Sequence, residues 1–302
     1  MLRVVSVSLG SSSRDKVTRA SLLGQDLELS RIGTDGSMAR ALSLIAELDG
    51  EVDAIGLGGI DLYLCAGGRK YTIRDARRLA DVAKTTPVVD GSELKLTLEK
   101  RQVNLLAEEF KEIPLKGAKA LQVSGVDRWG MAEALSDHCS EVLYGDLLFG
   151  LGLAIPLRSL RSLNNAARIA APIITQLPFS VLYPTGSKQK EHKPRFTEYF
   201  IWADWICGDF HFIRRNLPER LDGKVILTNT TTAEDKELLK NRGLSYLITT
   251  TPVIDGRSFG MNVLEGCLVA LIKQSGDLVS REIMEIYLNK LNLRPTVIEL
   301  NG

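Results

Sequence analysis

The chain has 302 residues, 44% of them hydrophobic and 25% charged, so it can bury a core without disulfides or bound metal. Its formal net charge of +1 gives no overall field that would attract nucleic acid or an anionic membrane, and neither is expected as a partner. The four cysteines are scattered and form no CxxC motif, and no metal site is predicted. The N-terminus lacks a secretory pattern, and the longest largely apolar run, 147–157, is too short to span a bilayer, which together predict a cytoplasmic protein.

The first 113 residues alternate between strand-like and helix-like patterns. Val5, Val7 and Leu9 alternate with serines, which is the period of a strand. The elements that follow are predicted as an extended segment at 22–32, a helix at 38–48, a strand at 52–57, a helix at 73–83, a strand at 87–89 and a helix at 92–110. Residues 1–113 are therefore assigned to a small α/β domain.

After a linker at 114–117 the alternation of strands and helices becomes more regular. Strands are predicted at 118–123, 141–144, 205–208, 224–227 and 246–248, and helices at 159–171, 234–241 and 262–272. Such alternation is typical of a parallel doubly wound sheet, while 172–199, rich in proline and lysine, is predicted to be a long loop. The predicted fold class is α/β: a Rossmann-type doubly wound parallel sheet at 114–275, a smaller N-terminal α/β domain, and a C-terminal helix and strand at 276–302 that close the fold.

The strongest candidate motif is SGVDRWG at 124–130, which follows a buried strand. Ser124, Gly125 and Gly130 would let the backbone approach a pyrophosphate, with Arg128 beside it and the next helix directing its free N–H groups at the phosphates. Asp146 ends the next strand, 21 residues after Gly125, where an acid would bind the ribose hydroxyls of NAD. An acid at this position favours NAD over NADP as the cofactor.

A plain strand-to-helix turn without a ligand is the alternative reading of this motif. The dinucleotide fingerprint has three glycines, whereas this turn has two, separated by four residues. Asp127 would repel a phosphate, and it would instead cap the helix while Arg128 offsets its charge.

Polar residues also follow the later strands, where ligands gather in doubly wound sheets. Asp209 and His211 follow the strand at 205–208 and are candidate catalytic groups facing a nicotinamide or substrate. Residues Thr228, Asn229 and Thr230 end the next strand and are candidate cofactor contacts. A loop acid with a packed histidine, and threonines that serve strand propensity and helix capping, are the alternatives.

Two further loops are candidates for the substrate side. Lys188 lies in a basic segment that would form a lid with one catalytic lysine, although a charge run is more often a solvated face. Asp61 and Arg69 stand beside glycine pairs and would form the substrate wall of the cleft, unless these glycines only make ordinary turns.

The segments DAIGLGGIDLYL, TPVVDGS, LYPTGSKQ, GDFHFIRRNLP and ITTTPVIDGRSFGMNV resemble bacterial proteins that carry the name quinate 5-dehydrogenase, and the resemblance spans nearly the whole chain. It implies a cleft between a small α/β domain and a Rossmann domain. The catalytic NVTxPxK motif of shikimate dehydrogenases is absent, the nearest match to their NTDG motif is the GTDG at 33–36, and their GAGG turn is replaced by SGVD at 124–127.

The leading hypothesis is an NAD(P)-dependent oxidoreductase acting on a secondary alcohol such as quinate or shikimate, with Lys188 or Asp209 as the base. The alternative is a non-catalytic nucleotide- or metabolite-binding protein, motivated by the missing lysine motif. A nucleotide-dependent transferase is a third, weaker reading. The expected partner is a small molecule, and the sequence is compatible with a homo-oligomer.

Overall fold

The structure, a computed structural model, describes residues 1–182, 193–251 and 260–301, and the backbone of 253–254 and 257–258. The strands are β1 Leu2–Ser8, β2 Lys16–Leu22, β3 Gln25–Gly33, β4 Ala54–Gly58, β5 Tyr63–Ala66, β6 Arg69–Thr72, β7 Val88–Val89, β8 Lys119–Gln122, β9 Glu141–Tyr144, β10 Trp205–Cys207, β11 Val225–Thr228, β12 Tyr246–Thr249, β13 Val253–Ile254, β14 Arg257–Ser258 and β15 Thr296–Glu299.

The helices lie between these strands and mostly alternate with them. They are α1 Met38–Leu48, α2 Arg74–Ala80, α3 Ser92–Glu109, α4 Trp129–His138, α5 Leu160–Ile174, α6 Phe179–Leu182, α7 Thr197–Trp202, α8 Phe210–Asn216, α9 Ala233–Asn241, α10 Met261–Gln274 and α11 Arg281–Leu291. Within the described ranges, no helix combines the length and apolar character needed to cross a membrane.

The first sheet has the strand order β2-β3-β1-β4-β7, with β1 parallel to both β3 and β4. Strand β1 is buried on both faces, since Val5 and Val7 pack with α1 on one side and Val4 packs with α10 on the other. The predicted alternation therefore marks a strand covered on both sides, as in parallel sheets, whose small serines Ser6 and Ser8 are buried as well.

The second sheet has the order β15-β12-β11-β10-β8-β9, in which β15 is antiparallel and the other strands are parallel. Counted along the chain, the parallel strands are arranged 2-1-3-4-5, so the winding reverses between β8 and β10. Ligands of doubly wound sheets bind outside the carboxyl ends of the strands at such a reversal. The predicted α/β fold class is confirmed.

Two helices connect the sheets in a way that differs from the predicted domain boundaries. Helix α10, assigned to the second domain, packs on β1 and β4 of the first sheet, and of the C-terminal segment only β15 joins the second sheet. The first half of α3 contacts α10 through Leu94 and Leu98, and its second half covers the second sheet's core through Val103 and Leu106. The spacing of apolar residues predicts that α10 is a helix, but not which sheet it covers.

The predicted long loop at 172–199 is partly helical. The apolar positions Leu163, Ala167 and Ala171 follow a helical spacing, and α5 continues through Pro172 to Ile174 because this buried stripe outweighs the lost N–H donor. Helices α6 and α7 occupy further parts of the segment, and residues 183–192 lie outside the described structure.

Candidate ligand-binding site

The candidate site lies where the carboxyl ends of the two sheets meet. Asp61 follows β4 of the first sheet, whereas Asp127, Asp209 and Asn229 follow β8, β10 and β11 of the second. Asp127 and Asp209 therefore flank the point where the winding of the second sheet reverses. Parallel strands bring these residues together because their carboxyl ends share one edge.

Lys95 on α3 joins the two sides of this site. Its Nζ lies 2.6 Å from Asp61 Oδ1 and 2.7 Å from Asp127 Oδ1, and its side chain is 11% exposed. An ammonium group buried to this degree requires paired charges, and the two carboxylates provide them. One lysine thus links a loop of the first sheet to a loop of the second.

Arg128, next to Asp127, organises the deeper part of the cluster. Its guanidinium forms an ion pair with the fully buried Glu99 of α3, and its Nη2 lies 3.2 Å from Asp209 Oδ2. The Arg128 Nε lies 3.5 Å from Asp127 Oδ2, and the Thr250 hydroxyl donates to Glu99 Oε1 at 3.3 Å. The guanidinium therefore holds three carboxylates in place.

Asp209 is held by both its charge partner and its local backbone. It is the N-cap of α8, where its Oδ1 accepts the backbone N–H of His211 at 2.9 Å. Asn229 donates its amide to Asp209 Oδ2 at 2.8 Å and accepts the Phe210 N–H at 3.2 Å. Of the predicted catalytic pair, Asp209 therefore belongs to the cluster, whereas the exposed His211 contributes its backbone N–H and not its ring to these contacts.

The threonines near the end of β11 form hydrogen bonds with residues that follow the neighbouring strands β10 and β12. The Thr228 hydroxyl donates to the Gly208 carbonyl at 2.7 Å and lies 3.1 Å from Asn229 Oδ1. Thr230 donates to the Thr251 hydroxyl at 3.0 Å. These contacts agree with the structural reading of the threonines and place Asn229 toward Asp209.

The pKa shifts in the cluster follow from burial and from the charges nearby. Burial raises the pKa of Asp61 to about 6 despite the nearby Lys95. Burial also raises the pKa of Glu99, whereas at Asp127 the cations Lys95 and Arg128 outweigh burial and lower the pKa.

The glycine turn predicted to bind pyrophosphate is closed by an internal carboxylate. Asp146 Oδ2 accepts the Gly125 N–H and its Oδ1 accepts the Val126 N–H, both at 2.9 Å. The predicted roles of this turn and of Asp146 as a ribose ligand therefore need correction, because Asp146 occupies the amides that a phosphate would use. Ser124 is buried, with its hydroxyl unpaired among the described residues.

Gly130 also has a different role from the predicted one. It lies within α4, where an added Cβ would collide with the backbone carbonyls of Lys95 and Leu96 on α3. The glycine thus permits close packing of two helices instead of approach to a ligand. Asp127 does not cap α4, since the N-cap residue is Arg128 and it makes no side-chain cap hydrogen bond.

Two predicted residues stand apart from the cluster. Arg69 lies on the exposed hairpin β5–β6, in a different depression of the surface. Lys188 lies outside the described residues. The structure therefore brings Asp61, Arg128 and Asp209 together through Lys95 and Asp127 and does not bring Arg69 to them.

Sequence reasoning missed Lys95 and Glu99. They are four residues apart on α3, so their side chains share one face, and that spacing is the signal that could have found them. A charged pair on a helix is usually solvated, and only the packing of α3 under both sheets makes this pair internal.

The fold is similar to several solved structures. The hetero-hexameric glutamate dehydrogenase of Thermus thermophilus aligns over 96% of this chain and 73% of its own, at 13% identity and a TM-score of 0.45. GanP, a glucose-galactose binding protein from Geobacillus stearothermophilus, aligns over 99% and 97%, at 10% identity and a TM-score of 0.42. A periplasmic solute-binding protein from Actinobacillus succinogenes with bound D-allose aligns over 99% and 98%, at 11% and 0.40. At these identities the similarity concerns the fold.

The predicted NAD(P)-dependent dehydrogenase acting on quinate or shikimate is wrong. Several of the similar solved structures are sugar-binding proteins, and this similarity concerns the fold alone. Within the chain, Asp146 closes the presumed phosphate turn, and Asp209 is tied to Arg128 and Asn229 rather than poised as a base. Binding of NAD itself, the cytoplasmic location and self-association remain predictions.

Family comparisons divide the chain just before α3. No curated protein matches it. Residues 3–90 match a family described as Domain of unknown function (DUF8753). Residues 93–300, more than two thirds of the chain, match the family described as Domain of unknown function (DUF8754), and the chain belongs to that family.

Proposed function

We propose that this protein is a non-catalytic binding protein for a small, neutral, hydroxyl-rich molecule, held where the two sheets meet. The observation that carries the proposal is the ion network that Lys95 and Arg128 build from carboxylates of both units. Small-molecule sites are commonly formed at domain interfaces and at the reversal point of a doubly wound sheet, and this network adjoins both.

The chemistry of the accessible groups supports a ligand that donates hydrogen bonds. The side chains of Asp61, Asp127 and Asp209 keep 18–20% exposure while their cationic partners lie deeper. An ionised carboxylate only accepts hydrogen bonds and has lone pairs beyond those used by its internal partners. Hydroxyl groups of a sugar or polyol are suitable donors for such acceptors.

The charge of the network opposes an anionic ligand. Four acids, Asp61, Glu99, Asp127 and Asp209, face two cations. The pKa of Asp61, which burial raises to about 6, reduces this excess at lower pH. A phosphate or a dinucleotide would add negative charge to a site in which acids already outnumber cations, whereas a neutral polyol would not.

The test is a binding screen with a matched pair of variants. Neutral sugars and polyols, a hydroxy acid, an alkylamine and NAD are screened by thermal shift, and hits are measured by calorimetry. Asp209→Asn keeps a capping side chain but removes a charged acceptor, and it should weaken a sugar or polyol by about tenfold or more. The control is Asp204→Asn, at the opposite end of β10, where Asp204 accepts the Lys119 N–H at 2.8 Å.

A neutral ligand whose affinity falls in the Asp209 variant and not in the Asp204 variant supports the proposal. Preferential binding of NAD or of the hydroxy acid would contradict it, because the acid-rich network should repel both. Equal affinity of both variants for the neutral ligand would place its site elsewhere.

A further inference from the structure

A second depression is lined by residues other than those of the acid-rich network. It has a volume of about 470 Å³ and is bounded by the β5–β6 hairpin and by helices α3, α4 and α11. Cavities of this order hold small organic ligands. The depression is therefore large enough for a metabolite and has no role in the proposed function.

Cations converge on this depression from three separate elements. The hairpin contributes Arg69 and Lys70, helix α3 contributes Lys100 and Arg101, and α11 contributes Arg281. One polar face of α3 lines the depression, because the lining residues of this helix recur at helical spacing: Thr97, Lys100, Arg101 and Asn104. A chain with a net charge of only +1 thus concentrates five cations around one hollow.

Internal partners neutralise these five cations only in part. One carboxylate, Glu93, is shared by Lys70 and Arg281, and Glu133 accepts Lys100 at 2.9 Å. The Arg101 guanidinium hydrogen-bonds the neutral amide of Asn289. Arg69 makes no ion pair with any residue that the structure describes, and Glu285 is the remaining acid of the lining.

The walls of the depression combine this charge with apolar surface. The apolar part of the lining is formed by Cys65, Ala66, Leu96 and Leu288. Guanidinium groups bind phosphate and carboxylate oxygens through paired hydrogen bonds, and apolar walls suit the organic part of such a molecule. A ligand here would meet positive charge at the rim and hydrocarbon below.

We infer that this depression is a second binding site, for a small organic molecule carrying two or more negative charges in phosphate groups. The site is independent of the acid-rich network, which has the opposite charge. Phosphate oxygens would contact Arg69 and Arg101, the two arginines of the lining for which the described residues provide no carboxylate partner. Lys70, Lys100 and Arg281 would add longer-range attraction.

The experiment uses the full chain and titrates inorganic pyrophosphate and ATP by calorimetry at low ionic strength. The variant Arg69→Ser/Arg101→Ser should weaken either anion by about tenfold or more, because two charge-assisted hydrogen-bond donors are lost. The control variant Arg19→Ser/Arg220→Ser removes the same charge from exposed sites outside the depression. Circular dichroism checks that both variants are folded.

Loss of affinity in the first variant alone supports the site. An equal loss in both variants would mean diffuse attraction by net charge, and absence of binding by the wild-type chain at millimolar concentrations would also overturn the inference. Asp209→Asn should leave anion binding unchanged, so failure of the sugar-site proposal is distinguishable from failure of this one.

Discussion

Single residues in this protein take their roles from partners that are distant in sequence. Arg128 follows a glycine turn, and its position suggests contact with a phosphate. In the structure its side chain is 3% exposed and its guanidinium lies among Glu99, Asp127 and Asp209. Because Glu99 and Asp209 lie 29 and 81 residues away in sequence, only the folded chain turns a surface-type residue into a buried charge centre.

Removing the Arg128 guanidinium should destabilise the fold severely. Arg128→Met leaves the carboxylate of Glu99 buried without its charge partner, and we expect a loss of about 3–5 kcal/mol in the free energy of unfolding. Arg158→Met is the control, since Arg158 is 66% exposed and lies 4.0 Å from Glu141, and it should cost less than about 1 kcal/mol. Urea denaturation measures both, and similar losses would contradict the buried network.

Asp146 provides a second test at this scale. Asp146→Ala removes the acceptor of two backbone N–H groups in the 124–130 turn, and we expect a loss of about 1–3 kcal/mol. The control is Asp137→Ala, on the exposed side of α4, with little effect. Thermal denaturation compares the two variants, and an Asp146 variant as stable as the control would mean that the carboxylate does not close the turn.

At the scale of elements, the crossing of α3 and α4 determines the shape of the site. Helix α3 carries Lys95 and Glu99, while α4 begins directly after Asp127 and Arg128. The two helices approach closely at Gly130, so the backbone distance between them sets the distance between the charged groups. Packing and the ion network thus depend on the same contact.

Gly130→Ala should separate these helices. The new methyl group would overlap the backbone carbonyl of Leu96, and overpacking of this kind typically costs about 1–3 kcal/mol. Gly150→Ala is the control, since an added Cβ there meets nothing within 4 Å. Chemical denaturation measures the free energy of unfolding of both variants. Equal values would show that α3 and α4 have room for the extra methyl group.

At the scale of the whole molecule, α10 connects the first sheet to α3 because it contacts both. It packs on β1 and β4, and its Glu265 carboxylate accepts the N–H groups of Glu93 and Leu94 at 3.1 and 3.3 Å. Burial, with Asp90 nearby, raises the pKa of Glu265 to about 8. This carboxyl therefore keeps its proton in the folded protein at pH values where the unfolded chain has lost it.

The raised pKa makes stability depend on pH in a defined direction. Between about pH 4.5 and 8 the folded state binds more protons at Glu265 than the unfolded state does, so this group's contribution to stability falls as pH rises. Glu265→Gln should increase the free energy of unfolding at pH 8 by at least about 1 kcal/mol and change it little near pH 4. The control is Glu237→Gln, at an exposed position of α9. If the stability of the Glu265 variant depended on pH as that of the wild type does, this would contradict the raised pKa of Glu265.

Local patterns in the sequence are enough to predict the elements and the polar strand ends. The apolar run at 224–227 predicts a buried strand, observed at Val225–Thr228, because a strand covered on both faces needs apolar side chains on both. Asp209 and Asn229 were identifiable because each follows such a strand, where ligands of doubly wound sheets gather.

Which elements and charges become neighbours depends on the folded chain. Periodicity shows that α10 has apolar surface to bury, but the sheet it covers depends on chain topology. The contacts of Lys95 with Asp61 and Asp127 span more than thirty residues, and Asp146 reached the turn amides instead of a ribose for the same reason. Local sequence sets which groups a segment offers, whereas long-range packing sets which partner is within hydrogen-bond distance, and burial then fixes the charge and the role of each group.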